Sequence, residues 1–257
     1  MNILVNDFII VLLVFLRIVP VFFIAPFFNS TSLPAISKLF LALVISYIVF
    51  FSIKGFTFDV DKGLLMLALI GIKELITGMI IAFSINFIFY GVSFAGMLIG
   101  FDIGLSMASA FDPTLEMESN IIGQIFNFVA VLILLTINGH HYIIRAVSYS
   151  FNIIPIGTYS INKNVLQLLV NYSAGVFVLA VKIAAPIMIS FFLIHISAGL
   201  IARIIPQMQV FFVIQPLQIG VGLALLVAAT PVIIYLLRTM LANFENLLFD
   251  LIKAMGA

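Results

Sequence analysis

GVSFAGMLIGFDIGLSMASAFDPTLEMESN, residues 91–120, decides how the rest of this chain is read. It lies between two long apolar runs, yet it carries Asp102, Asp112, Pro113, Glu116 and Glu118, with Ser106, Ser109, Thr114 and Ser119 among them. A lipid-facing helix avoids such residues, because hydrocarbon solvates neither a charge nor an unpaired backbone group. In the first half, Gly96, Gly100 and Gly104 recur at a spacing of four. That spacing places them near one helical face and leaves a groove where a second backbone can approach. After Ser106 the glycines stop, and Asp112-Pro113 cannot continue a regular buried helix, since the residue before a proline is pushed out of the α region. The stretch therefore predicts a packing seam followed by a loop at membrane depth over 106–119, enclosed by protein or lining an aqueous path.

The surrounding chain is 64% hydrophobic and only 8% charged over 257 residues, with a mean hydropathy of +1.34. A soluble domain carries about 25% charged residues, so the composition is that of an integral membrane protein. Eleven basic side chains stand against ten acidic ones, a formal charge of +1, which leaves no electrostatic footprint for nucleic acid. Cysteine is absent, which excludes disulfides and thiolate metal sites. The amino terminus lacks a basic n-region and a small-residue cleavage site, and its apolar run exceeds the core of a signal peptide, so it reads as a retained first span.

At about 20 apolar residues per crossing, candidate spans fall near 7–28, 36–53, 63–90, 121–137, 165–204 and 209–238. The fifth, at about 40 residues, would run roughly 60 Å at about 1.5 Å per residue, twice the hydrocarbon core. It must kink at Pro186, tilt strongly, or leave the bilayer under cover of other protein. The last ninety residues read as one long helical hairpin whose turn lies near Ile205-Pro206-Gln207, with Pro206 and Pro216 bracketing a break. In the tail, Leu241, Phe244, Leu248, Leu251 and Met255 recur every three to four residues opposite Glu245, Asp250 and Lys253. This is an amphipathic helix. A single Lys on the polar side suits an anionic membrane surface poorly, so a partner helix is the expected recipient of the apolar side.

Charged residues inside apolar sequence are the candidate functional ones. Arg17 at mid-span costs about 2.5–3.5 kcal/mol on insertion scales and needs a partner; the next acid inside apolar sequence is Glu74, with Gly78 on the same face four residues on. An Arg17–Glu74 pair between neighbouring helices is the expectation. No Lys or Arg occurs between Lys73 and Arg145, while five acids do. Asp102 and Asp112 invite a proton-relay reading, and the Gly-rich break would suit the broken helix of a proton-coupled carrier, but the two halves show no internal repeat. Asn138-Gly139-His140-His141 with His195 invites a metal reading; HExxH is absent, and the plainer account is a helix end at Asn-Gly. No catalytic, cofactor or metal site is expected. Met97, Phe101, Met107, Phe111 and Met117 are deformable apolar groups that can close a gate around an irregular object and block ions by dewetting.

Taken in order, Arg17 with Pro20 and Pro26, Glu74 with Gly78, glycines 96, 100 and 104, Asp112-Pro113, Asn138-Gly139-His140, Ser150 with Pro155 and Gly157, Ala185-Pro186, and Gly199-x3-Arg203-x2-Pro206-Gln207 resemble the FliR family of flagellar export-gate membrane proteins, which has counterparts in injectisome type III secretion. Gln209 and Gln218 depart from the family pattern, where Asn and Lys are frequent. The resemblance implies an all-α integral membrane protein, a kinked multi-helix bundle with a FliP-like part over 1–160 and a FliQ-like helical hairpin over 161–257. It implies assembly with FliP, FliQ and FlhB in the bacterial inner membrane, at the flagellar basal body, as a gated pore for unfolded flagellar proteins. By the same resemblance Met107, Phe111, Asp112 and Pro113 fall on a plug, and Gly96, Gly100, Gly104, Arg17, Glu74, Arg203, Pro206 and Gln207 at helix interfaces.

Overall fold

Hydrocarbon offers no partner to a backbone N–H or C=O, so long apolar runs outside a closed barrel fold as helices. The computed structural model describes residues 2–26, 28–29, 33–53, 63–105, 120–160, 162–205 and 210–256. Every element among the described residues is an α-helix: α1 (Asn2–Ile24), α2 (Ala35–Ser52), α3 (Gly63–Ile103), α4 (Ile121–Thr136), α5 (Gly139–Ile153), α6 (Lys163–Ile204), α7 (Val210–Ala242) and α8 (Phe244–Gly256). Five stretches are long and apolar enough to cross a bilayer, and α4 with α5, bent by 73°, forms a sixth if read as one broken span. This is the all-α membrane architecture that composition implies.

Three local features decide where the helices stop. The expected span 63–90 and the seam beyond it are one helix of 41 residues, ended by Gly104 at φ +86°. Gly104 N–H donates to Phe101 O and Leu105 N–H to Gly100 O, each at 3.0 Å, the paired bonds of a Schellman motif with glycine in the left-handed position. Gly104 thus closes the helix rather than lengthening the seam. Asn138, also left-handed at φ 59°, separates α4 from α5, as the Asn-Gly reading anticipates. Pro216, expected to bracket a break, instead lies inside α7 together with Pro231; a proline removes a single N–H, which an apolar membrane helix tolerates where neighbouring groups re-satisfy the freed carbonyl.

The described residues form two compact units. The first comprises Met1–Phe87, Leu134–Tyr172 and Ala242–Ala257. On α1, Leu13, Val14, Ile18 and Val21 are buried at helical spacing. Asn86 Nδ2 reaches the carbonyl of Ile24, the last residue of α1, at 2.8 Å. α8 buries Phe244, Leu248, Leu251, Ile252 and Met255, and the recipient is this chain's own α5. Phe249 meets Tyr149 edge-on at 5.1 Å, Arg145 lies 3.7 Å from Glu245, and Gly256 fits against Ile153. The expected partner helix for the tail is therefore intramolecular, because the chain returns to the unit in which it began. Asn162 fastens that return, capping α6 through Val165 N–H at 2.8 Å and donating to Ala254 O at 2.9 Å.

The second unit comprises Ile88–Ile133 and Ser173–Leu241. Its core is small and aliphatic, with Val92, Ala95, Ile99, Ala130, Ala180, Ile183 and Ala184 fully covered. Glycines set the spacing of its helices: a side chain on Gly222 would run into Ile103, and one on Gly91 into Leu179 and the Val176 carbonyl. Throughout the chain, helical hydroxyls satisfy themselves by bonding the carbonyl one turn back, as at Ser46, Thr77, Ser84, Ser190, Ser197, Thr230 and Thr239. Those groups bind locally and form no relay.

Candidate functional site

The most polar buried place in the first unit is built on Arg17, which is wholly covered, as is Glu74. Arg17 Nε donates to Glu74 Oε2 at 2.5 Å. Its remaining nitrogens are also used: Nη1 donates to Ser150 Oγ at 3.2 Å and to Ile154 O at 3.0 Å, and Nη2 shares the same carbonyl at 3.1 Å. The guanidinium lies 4.0 Å from the centroid of the Phe151 ring. Glu74 Oε1 accepts from Gly157 N–H at 2.8 Å, and Lys73 Nζ reaches Gly157 O at 3.4 Å. One ion pair therefore ties α1, α3, α5 and the chain after α5 into a node. A buried pair is tolerated only when the remaining hydrogen-bonding sites are met as well, and here both carboxylate oxygens and all three guanidinium nitrogens are engaged.

Gly78, one turn beyond Glu74, lets the node close. A Cβ there would collide with the Arg17 carbonyl oxygen, so α1 and α3 touch backbone to backbone beside their ion pair. Gly157 holds φ +80°, a left-handed turn that presents its N–H to Glu74.

The second unit has a seam without charge. A Cβ on Gly96 would strike the backbone of Gly123, which puts α3 directly on α4. Gly100, one turn away, is loosely placed, its nearest neighbour being Ile122 Cδ1 at 3.9 Å. Asn120 sets the approach: its Oδ1 accepts from Gly123 N–H at 3.0 Å, capping α4, while Nδ2 donates to Ser93 O at 3.0 Å and Ser93 Oγ at 3.1 Å. Sequence reasoning missed Asn120, although Asn three residues before a glycine at the head of an apolar run is an N-cap signal. Gln218, buried, has Nε2 3.4 Å from His195 Nδ1. A Cβ on Gly104 would lie 3.8 Å from Gln218 Oε1.

The family described as bacterial export proteins, family 1, matches residues 8–244. The chain belongs to that family. Among its relatives are proteins named flagellar biosynthetic protein FliR: one from Bacillus subtilis, 29% identical over 100% of this chain and 99% of the relative; one from Escherichia coli, 28% over 93% and 90%; and one from Aquifex aeolicus, 30% over 89% and 88%. Five of the residues that carry the family resemblance, far apart in sequence, meet in space: Arg17, Glu74, Gly78, Ser150 and Gly157 all belong to the node.

Of the other family positions singled out in the sequence, Arg203 is exposed in the last turn of α6, where a cation complements the helix dipole. Met107, Phe111, Asp112 and Pro113, the plug residues, lie outside the described residues, as do Pro206 and Gln207. Among the described residues no group of three His, Cys, Asp or Glu side chains is placed to hold a metal. His140 and His141 instead stack on one another at 4.1 Å.

Proposed function

We propose that this export-family chain is a structural subunit of the flagellar type III protein export gate, working within a hetero-oligomer of membrane proteins. The reading rests most heavily on helix length. The candidate spans Gly63–Ile103, Lys163–Ile204 and Ile214–Gly256 contain 41, 42 and 43 residues, about twice the roughly 20 a bilayer requires. Each contains a strongly apolar window, and only 11% of that window in Ile214–Gly256 is buried within the chain. Apolar surface continuing past the hydrocarbon needs other protein to cover it, which an assembly provides and a self-sufficient carrier does not.

FliP-like, FliQ-like and FlhB-like proteins are the partners proposed, the part over 1–160 standing in for a FliP-like element and 161–257 for a FliQ-like hairpin. The cargo is unfolded flagellar protein, and the location is the inner membrane at the flagellar basal body. The flagellar names of the relatives favour this over an injectisome role. Met107, Phe111, Asp112 and Pro113 are proposed to seal the conduit at rest, with opening driven by substrate or partners binding the open state more tightly.

Affinity purification of the tagged chain in mild detergent tests the assembly: small multi-span proteins should accompany it in fixed ratio. Isolation as a transport-competent monomer or homodimer would favour the proton-coupled carrier instead. Deleting residues 107–118 should raise ion leak with assembly intact; an unchanged membrane tightness would remove the plug assignment.

A further inference from the structure

α6 buries one face in the second unit, where Ile183, Ala184, Ile187 and Phe191 are enclosed, and leaves another face uncovered. On that uncovered face Gly175, Lys182, Ile189, Ile196 and Arg203 recur every seven residues, and all five are exposed. Val178, Phe192 and Gly199, at the intervening heptad positions, are exposed as well. A Cβ added to Gly175 or Gly199 would meet nothing of this chain within 4 Å. Small residues thus alternate with aliphatic and aromatic ones along a seven-residue repeat, the pattern that receives the side chains of a second helix.

Lipid and water both fit this face badly. α6 is 42 residues long, roughly 60 Å at about 1.5 Å per residue, against a hydrocarbon core of about 30 Å. Wherever that core falls along the helix, one of two costs arises. Either Lys182 is immersed, at about 2.5–3.5 kcal/mol, or some of Phe177, Val178, Ile189, Phe192 and Leu193, each more than half exposed, stand clear of lipid. A helix from another subunit removes both costs if it brings a carboxylate to Lys182. Residues 119–244, which build most of this unit, contain Arg145, Lys163, Lys182, Arg203 and Arg238 but no Asp or Glu, and Asp102 on α3 interacts with His195. We propose that the heptad face of α6 seats a membrane helix of another subunit that carries an Asp or Glu opposite Lys182 and meets Gly175 at close range. A single charge in an apolar seam fixes the register of the two helices, since a slip leaves it unmatched. This surface rests on the hetero-oligomer reading above and adds to it where a partner docks and what charge it brings.

Crosslinking of the complex isolated in mild detergent, with the apolar reagent dicyclohexylcarbodiimide, tests the contact by joining a lysine amine to an adjacent carboxylate. Lys182 should be found linked to an acidic residue within an apolar segment of a different protein. Lys182→Glu should lower recovery of that protein by roughly tenfold or more, the order expected when like charges meet in a contact. Lys182→Arg should leave recovery unchanged, and reversing the charge of the linked acid should restore it to Lys182→Glu. Gly175→Leu, at a position with nothing of this chain within 4 Å, keeps the charge and should lower recovery as well; it serves if Lys182→Glu does not fold. Full recovery of every partner by both Lys182→Glu and Gly175→Leu overturns this surface and leaves the hetero-oligomer standing, whereas an unaltered chain isolated alone removes both. A Lys182 link to an acid of this same chain also overturns the proposal. So does loss of a retained anionic lipid from Lys182→Glu with its partners undiminished, which would make Lys182 a membrane anchor.

Discussion

Gly78 and Gly96 each bring one helix backbone directly onto another, and the two contacts are made of different materials. At Gly78, α3 meets α1 beside a wholly buried ion pair whose every arm is hydrogen-bonded. At Gly96, α3 meets α4 through glycine against glycine, and the polar contribution is one asparagine at the helix start. Close approach within a membrane protein thus has two routes here: small residues that allow dispersion contact, and a charged pair that fixes one arrangement because any other leaves a charge unmatched. The first tolerates sliding. The second does not, which suits a node joining three stretches distant in sequence.

Removing half of the pair breaks this contrast most severely. Glu74→Ala leaves Arg17 buried without its counter-charge and strands the Gly157 amide, and should cost about 3–5 kcal/mol, read as the shift in a detergent-based unfolding titration. Replacing both partners by apolar residues, Arg17→Met with Glu74→Leu, should recover most of that loss. A double variant as unstable as Glu74→Ala would show that the bonds to Ser150 and Ile154 matter more than the charges.

The glycines come next. Gly78→Ala and Gly96→Ala each place a methyl group into backbone and should cost roughly 1–3 kcal/mol through forced separation of the helices. Gly100→Ala, one turn from Gly96 and facing only Ile122 Cδ1 at 3.9 Å, should be neutral or stabilising by up to about 1 kcal/mol through helix propensity. Equal effects at 96 and 100 in the same titration would mean that the seam is not the close contact. Gly104→Ala acts through the backbone, since φ +86° disfavours any side chain by roughly 1–2 kcal/mol. Gly104→Asn should cost less, because asparagine visits that region more readily.

How far these features were legible in the sequence follows from the range of the forces involved. Helix content and span positions are local properties, readable from apolar runs because lipid leaves the backbone no alternative. Arg17 and Glu74 stood out as costly charges in apolar sequence. Ser150, Ile154 and Gly157 could not be joined to them by spacing, because their meeting depends on the 73° bend at Asn138 and on a return of the chain that no periodicity encodes. Gly104 looked like a third seam residue since its spacing fits; its left-handed φ is a conformation that glycine permits without announcing. The tail's apolar side was visible, but its recipient was not, because amphipathicity records that a face is buried and says nothing of where.

The smallest predicted effect lies at the edge of the polar node. Tyr159 follows Gly157 by two residues and is nearly buried, at 3% exposure, with a hydroxyl that has no hydrogen-bond partner among the described residues. A buried polar atom left unpaired costs free energy, so Tyr159→Phe should be neutral or slightly stabilising, whereas the same change at a bonded tyrosine would destabilise. Burial also pushes the Tyr159 phenol above its ordinary value, which means that folding favours the neutral form. The stability this confers is fully present below the unfolded-state value, about 10, and is lost as pH rises through the folded-state value. Comparing unfolding at pH 8 and pH 11, the unaltered chain should lose more stability than Tyr159→Phe. If the substitution instead destabilises at pH 8, the hydroxyl has a partner in the assembled membrane, and the chain after α5 touches another molecule as well as Arg17 and Glu74.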